Sequence, residues 1–399
     1  MSDPGPHTVD PAAVDADVPG AVDRALTLWL AARLDTAGTL DPLFARELAE
    51  PVARFTREGG KRRRSRLLWW ALRACGGSDA ATAAAALRIG AALELLQTCA
   101  LIHDDVMDGA TLRRGRPAFH AEASRRHRHR APRPAADRFG EAAAILAGDL
   151  ALAWADDLVA GTVLDPWRAA AVRGLWSELR TEMVAGQLLD LHGQLTGTVS
   201  PVEALRAARL KSALYSVGRP LLLGAALAGA DAGTTDALRS AGHCLGLAFQ
   251  LRDDLDDLFA DPLDTGKTCG GDIREGKPTY LAAVALARAR SADDRAALKT
   301  LEHALGRADL SSADLDEVRE AMVRTGARHA VETKIERLSA RALGRLDGTL
   351  PDPIGEARLR DLLATAVASP NGHRQPPGPP PPSPAPSAPP ADVREEADR

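Results

Sequence analysis

Residues 86–108 read ALRIGAALELLQTCALIHDDVMD. Apolar side chains recur there at spacings of three and four, the period of a helix buried along most of its surface. The run ends on three aspartates, Asp104, Asp105 and Asp108, and GATLRRGRP then adds Arg113 and Arg114. A helix turns about 100° per residue, so positions i, i+1 and i+4 share one sector of its surface. Three carboxylates facing one way repel one another and resist burial, so cations have to compensate them. By itself this cluster fits a solvated acidic face as well as it fits a cation site.

A second cluster changes that balance. FQLRDDLDDLF, residues 249–259, repeats the D-D-x-x-D spacing at Asp253, Asp254 and Asp257, with Asp256 extra, again after an apolar helix of small residues. Two such helices in one bundle can face each other across a cavity. Hard divalent cations prefer oxygen ligands, and Mg²⁺ keeps water and phosphate oxygens in its shell. The pair of clusters therefore points to Mg²⁺ ions bridged by a diphosphate. A di-iron bundle would want Glu and Glu-x-x-His, which this pattern lacks.

Cations gather near the same segments. EGGKRRRSR (58–66) offers Lys61 and Arg64, Lys211 opens KSALY, and Lys267 and Lys277 follow the second acidic helix. Guanidinium forks and ammonium groups bind phosphate oxygens directly. Two anion sites follow, one reached through metal and carboxylates, the other held by Lys and Arg.

Composition sets the class. Of 399 residues 45% are apolar but only 4% aromatic, and Ala, Leu, Arg and Glu favour helix. No β-branched run is long enough for a strand, so the expectation is all-α: one large antiparallel helical bundle with a central cavity. A formal charge of −4 is too small to argue for nucleic acid or an anionic membrane as partner, and no nucleic acid is expected. Cys75, Cys99, Cys244 and Cys269 are widely spaced and read as reduced thiols. The first 20 residues hold no secretion-signal pattern, and no apolar run was found to reach the roughly 18 residues of a membrane span, so the expected location is the cytoplasm, without stable membrane insertion. Residues 1–20 are expected to be disordered, 21–366 to form the helical domain, and 367–399 to be a disordered proline-rich tail. The basic stretch SRRHRHRAPRPAADR (124–138) reads as an exposed inter-helix loop with no aromatic for stacking on bases.

In order along the chain, GGKRRR, LIHDDVMDGATLRRGRP, GQLLDL, KSALY, GLAFQLRDDLDDLF and GKTCGGDIREGKPT resemble the motifs of the trans-type polyprenyl diphosphate synthases, the farnesyl and geranylgeranyl diphosphate synthases among them. The resemblance implies that Asp104, Asp105, Asp108, Asp253, Asp254 and Asp257 bind about three Mg²⁺ ions around the diphosphate of an allylic substrate (dimethylallyl, geranyl or farnesyl). It places Arg113, Lys211, Gln250, Lys267 and Lys277 at that allylic site, with Ser212 where Thr is common. Lys61, Arg64 and Arg114 would hold isopentenyl diphosphate. Gln97 stands where many relatives carry a histidine for the same substrate, and Ser65 where they carry proline.

The implied reaction is ionisation of the allylic C–O bond as charge on the leaving diphosphate is stabilised. Attack by the double bond of isopentenyl diphosphate and loss of a proton follow. No protein nucleophile is required, and His103 reads as a packing residue. Ala100 and Cys99 lie four and five positions before the first cluster, about one turn deeper along the helix. Both are small where C15-limited relatives often have aromatics, so the expected product is C20 geranylgeranyl diphosphate, with farnesyl or longer chains as the alternative. The family also implies a homodimer. A terpene cyclase or a non-catalytic partner subunit would usually lack one of the motifs retained here.

Overall fold

The computed structural model describes residues 9–113, 115–197, 200–261 and 269–368. The chain opens with α1 (Pro11–Ala16), α2 (Val18–Leu40) and α3 (Pro42–Phe44), which runs through a wide-turn π segment, π1 (Ala45–Ala49), into α4 (Glu50–Arg57). Next come α5 (Arg63–Ala74) and α6 (Ala80–Met107). A two-residue ribbon, β1 (Leu112–Arg113) against β2 (Arg116–Pro117), folds the chain back before α7 (Phe119–His127). Then follow α8 (Arg133–Ala160), α9 (Pro166–Thr196) and α10 (Pro201–Ala208). A second π segment, π2 (Arg209–Gly218), leads to α11 (Arg219–Ala228) and α12 (Ala232–Phe259). The chain closes with α13 (Gly271–Arg274), α14 (Tyr280–Ser291), α15 (Arg295–Ala304), α16 (Ser312–Arg324), α17 (Ala327–Leu346) and α18 (Pro353–Val367).

Side-chain oxygens start the two long acidic helices. Asp79 accepts from the Thr82 amide at 2.8 Å and Asp231 from the Thr234 amide at 2.9 Å. Such caps contribute about 1 kcal/mol each by satisfying amides that the first turn leaves orphaned. The apolar faces then close around two cores. One gathers Leu26, Leu30, Ile89, Leu93, Leu96, Ile102 and Trp154 around α6, and the other gathers Leu245, Leu251, Leu255, Leu281, Met322 and Ile335 around α12. Helix α5 belongs to both, sending Leu68 and Leu72 into the first and Leu67 and Ala71 into the second. The acidic ends of α6 and α12 thus approach each other from opposite halves of the bundle, with α5 in the seam.

Three expectations need correction. Residues 11–16 are helical: Asp10 and Asp17 cap α1 and α2, Val14 and Val18 are buried, and Asp15 accepts from Trp69 Nε1 at 2.8 Å. A few well-placed side chains anchor a segment whose composition looked structureless. Residues 1–8 and the tail beyond 368 lie outside the described residues. The basic stretch 124–138 is mostly helix, with α7 running to His127 and α8 starting at Arg133. Its charges are partly used, since Asp137 accepts from Ser124 and pairs with Arg128 and Arg133, and Glu47 pairs with Arg126. Finally, Ala80–Met107 is long and apolar enough to cross a membrane, but 72% of its most apolar window is buried inside the bundle, as befits a core helix.

Candidate active site

Both aspartate clusters sit within the last two turns of a helix, toward the negative end of the macrodipole, where carboxylates are disfavoured. Their stability must come from elsewhere. At the end of α6, Asp105 is 0% exposed and receives Arg113 Nε at 2.7 Å and Nη2 at 2.5 Å. The β1–β2 ribbon is what returns Arg113 to it. Asp104 Oδ1 lies 3.1 Å from Lys211 Nζ and accepts from Gln187 Nε2 at 3.1 Å, while Arg113 Nη2 is 3.6 Å from Asp104 Oδ2. Asp108 pairs with Lys277 Nζ at 2.8 Å.

Lys211 arrives on π2, whose wide turn lies against α9. A Cβ at Gly186 would come within 2.1 Å of the Lys211 amide nitrogen, so glycine is what lets the two backbones approach. Lys211 Nζ also meets Asp190 at 2.5 Å. Ser212 follows it, half-buried. Lys277 closes the other side, with Asp108, Glu275 at 2.6 Å and Asp272 at 3.9 Å around its ammonium. The Asp272 amide in turn donates to Asp257 Oδ2 at 3.1 Å. Asp108, Lys277, Asp272 and Asp257 therefore form a continuous polar connection from the first cluster to the second. In the second cluster, Asp254 is 7% exposed and accepts from Gln250 Nε2 at 2.8 Å. Asp253 lies close enough to Arg63 of α5 to interact electrostatically.

Titration behaviour follows these surroundings. Burial works against the Asp104 carboxylate, but Lys211, Lys277 and Arg113 outweigh it and hold the group below the usual range. For Asp105 and Asp108 burial wins and the carboxyls rise, Asp108 further raised by Asp104. Asp254 is pushed up to about 7 by burial, opposed by the Gln250 hydrogen bond and reinforced by Asp253, Asp257 and Asp190. Burial and Asp257 also drive Asp272 well up. Burial disfavours the Lys211 and Lys277 ammonium groups, yet the carboxylates around them raise both.

Two carboxylate oxygens, Asp105 Oδ2 and Asp108 Oδ1, are buried with no hydrogen-bond partner among the described residues. An unpartnered buried carboxylate oxygen is costly, and a hard cation satisfies it. Among the described residues no three Asp, Glu, His or Cys side chains converge tightly enough to enclose an ion alone.

A second group of residues lies beside the first. Arg64 Nη2 donates to Ser216 Oγ at 2.9 Å, and its guanidinium stacks 4.1 Å from the centre of the Tyr215 ring. Tyr215 donates to Gln97 Oε1 at 2.5 Å. Lys61 is exposed at the start of this segment. Ser65 is buried with its hydroxyl 2.7 Å from Glu94 Oε1 and 2.9 Å from the Gly90 carbonyl, tying α5 to α6. His103 packs on Gly148 of α8, with Nε2 3.1 Å from the Ile145 carbonyl and Nδ1 3.8 Å from Cys99 Sγ. Cys99 is buried, its thiol pushed up to about 12 by burial, and Ala100 is half-buried. Arg114 and Lys267 lie outside the described residues.

Sequence reasoning named the GQLLDL motif without assigning it a task. The i, i+3 spacing of Gln187 and Asp190 puts both on one face of α9, which was the available signal. Tyr215 and Asp272 fall inside the quoted KSALY and GKTCGGDIREGKPT motifs without a task assigned to them, and Ser216 gave no signal, because its partner comes from a distant segment.

The polyprenyl synthetase family model matches residues 45–322. Geranylgeranyl pyrophosphate synthase 11, chloroplastic, of Arabidopsis thaliana is 34% identical over 256 residues, covering 62% of this chain and 66% of the relative, just under two thirds of its length. A geranylgeranyl diphosphate synthase of Mycobacterium tuberculosis is 34% identical over 310 residues, 76% of this chain and 78% of that protein. Among solved structures, a geranylgeranyl pyrophosphate synthase from Corynebacterium glutamicum, complexed with isoprenyl diphosphate and magnesium, matches with a TM-score of 0.81 at 37% identity, covering 88% of this chain and 98% of that one. The chain belongs to the polyprenyl synthetase family.

Proposed function

We propose that this chain is a prenyltransferase that condenses isopentenyl diphosphate with an allylic diphosphate, giving geranylgeranyl diphosphate as its main product. The observation that carries the reading is the pair of aspartate clusters at two helix ends, linked through Lys277, with Lys211 and Arg113 on the first and two orphaned carboxylate oxygens, of Asp105 and Asp108, in that same cluster. Asp104, Asp105, Asp108, Asp253, Asp254 and Asp257 would hold about three Mg²⁺ ions, each completed by water and diphosphate oxygens. When bound, Mg²⁺ stabilises charge on the departing diphosphate. Arg113, Lys211, Lys277 and Lys267 hold the allylic diphosphate, so negative charge building there meets fixed positive groups in a partly dry site. Gln250 orients Asp254. Lys61, Arg64, Arg114 and Gln97 hold isopentenyl diphosphate so that its double bond faces the ionising carbon.

Two small side chains, Cys99 and Ala100, one turn deeper on α6 support a C20 product. The two relatives and the solved structure named above are geranylgeranyl synthases, which supports the same length, while a farnesyl diphosphate synthase of Geobacillus stearothermophilus at 36% identity supports the C15 alternative. The reading extends to a water-soluble, cytoplasmic homodimer, supported by the burial of α6 and by the exposed Ile145, Leu146, Val184 and Leu188 on α8 and α9.

The test is direct: incubate the pure protein with Mg²⁺, isopentenyl diphosphate and each of dimethylallyl, geranyl and farnesyl diphosphate, and measure product length by chromatography. A C20 product is expected. No turnover with any allylic partner would overturn the reading in favour of a non-catalytic partner subunit.

A further inference from the structure

Arg62 belongs to the basic run 61–66, yet it cannot reach a phosphate. Its residue is 4% exposed and its donors all point inward. Nε donates to Asp23 Oδ1 at 2.8 Å, Nη1 to Glu94 Oε2 at 3.1 Å, and Nη2 to the carbonyls of Thr56 and Arg57, both at 3.0 Å. Those carbonyls are among the last of α4, which a helix end leaves without intrahelical partners. One planar fork thus serves acceptors on α2, α4 and α6, something a lysine could not do. The geometry is demanding. Arg62 adopts a left-handed backbone with φ 49°, and a Cβ at Gly59 would lie 2.4 Å from its Nη1 and 2.9 Å from the Thr56 carbonyl.

What this arrangement holds in place is specific. Glu94 is three residues before Gln97 on α6, and Thr98, one residue after it, has its hydroxyl 2.9 Å from that of Thr56. The turn between α4 and α5 is therefore fastened to α6 on both sides of Gln97. Lys61 and Arg64 flank the fastened residue, and Ser65 adds a further contact to Glu94.

We propose that the buried Arg62–Glu94 pair is a positioning device for the isopentenyl diphosphate half of the site. It sets the height and angle at which Lys61 and Arg64 stand opposite Gln97, without touching substrate. This rests on the function proposed above and names a task for two residues that bind nothing themselves. A buried ion pair is seldom justified by stability alone, since apolar residues of similar volume often serve as well. Here the pair is tied to a loop whose placement matters for one substrate and not for the other.

The experiment measures KM for each substrate and kcat in the full chain for Arg62→Lys and Glu94→Gln, with calorimetric titration of isopentenyl diphosphate and a thermal melt. Arg62→Lys should raise KM for isopentenyl diphosphate about tenfold and weaken its binding in parallel, with KM for the allylic substrate within about twofold. Glu94→Gln should move the same constants in the same direction. Equal changes in both KM values, or a parental KM for isopentenyl diphosphate, would overturn the proposal. Should Arg62→Lys fail to fold, Asp23→Asn decides, because it alters the half-exposed end of the same clasp. A parental isopentenyl KM in that variant overturns the role. A parental protein that does not condense isopentenyl diphosphate at all overturns the functional reading and this proposal together. Turnover with unaltered variants overturns the positioning role alone.

Discussion

Helices α6 and α12 end in the same D-D-x-x-D spacing, but their buried aspartates are stabilised differently. Asp105 is matched by the Arg113 guanidinium, and its neighbours Asp104 and Asp108 meet Lys211 and Lys277. Asp254 meets the neutral Gln250 amide and is surrounded by other carboxylates, which leaves it able to keep a proton near pH 7. In the first cluster fixed cations oppose the cost of burial, holding Asp104 below its usual range while Asp105 and Asp108 still rise. Asp254 ionises at the expense of burial and so has more to gain from an arriving divalent ion. Identical motifs thus differ in chemistry through what the rest of the fold brings to them.

The largest effect should come from removing either wall. Asp104→Ala or Asp253→Ala should lower kcat by about a thousandfold or more in steady-state assays, since charge stabilisation at the leaving group is the main catalytic contribution. Parental rates in either variant, or activity that survives thorough chelation of divalent ions, would break the comparison at its root. Next in size are the partners. Lys211→Met should lower kcat about a hundredfold, whereas Gln250→Leu should cost about tenfold, because a charged partner is removed in one case and a neutral one in the other. Equal losses would mean that the two clusters are held alike.

Asp254 gives a pH test. Its folded value of about 7 lies above the ordinary 3.8, so the folded chain holds this proton longer than the unfolded chain. Its contribution to stability therefore falls as pH rises from about 4 to about 7 and is level above that, a loss of up to about 4 kcal/mol. In chelator at pH 8, Asp254→Asn should raise Tm by about 5 °C, and at pH 4 it should change little. Asp104, held below its usual range, runs the other way: its contribution is present above the ordinary carboxylate range and is lost as pH falls through its lowered value. Asp104→Asn should not stabilise at pH 8. A matching rise in both variants would erase the distinction.

The smallest expected change separates the helices by depth. Cys99→Phe on α6 should shorten the main product by about one five-carbon unit, as read by chromatography, if α6 lines the hydrocarbon tunnel. Ala248 occupies the corresponding place before Asp253 on α12, and it is fully buried in the second core. Ala248→Phe should leave product length unchanged while costing about 1–3 kcal/mol from overpacking. Unchanged length in Cys99→Phe would remove α6 from the tunnel.

Helix class and both acidic clusters could be read directly because they are local. Periodicity and the spacing of carboxylates depend on residues within a turn or two of one another. The ordered helix at 11–16 was missed because Asp15 gains its partners, Trp69 and Arg73, from more than fifty residues away. Arg62 is the clearest case. In the linear run it is one more cation beside Lys61 and Arg64, and only its burial shows that it faces the other way.

Residue order along the chain thus sufficed for the helices, for the two D-D-x-x-D ends and for the kind of ion and anion they suit. Packing assigned the counter-charges: Lys277 to Asp108, Lys211 to Asp104 and Asp190, Arg62 to Glu94, and, among the described residues, the Gln250 amide to Asp254. Charge compensation acts over a few ångströms in space whatever the separation along the chain, and those few ångströms exist only once the two halves of the bundle have closed on α5.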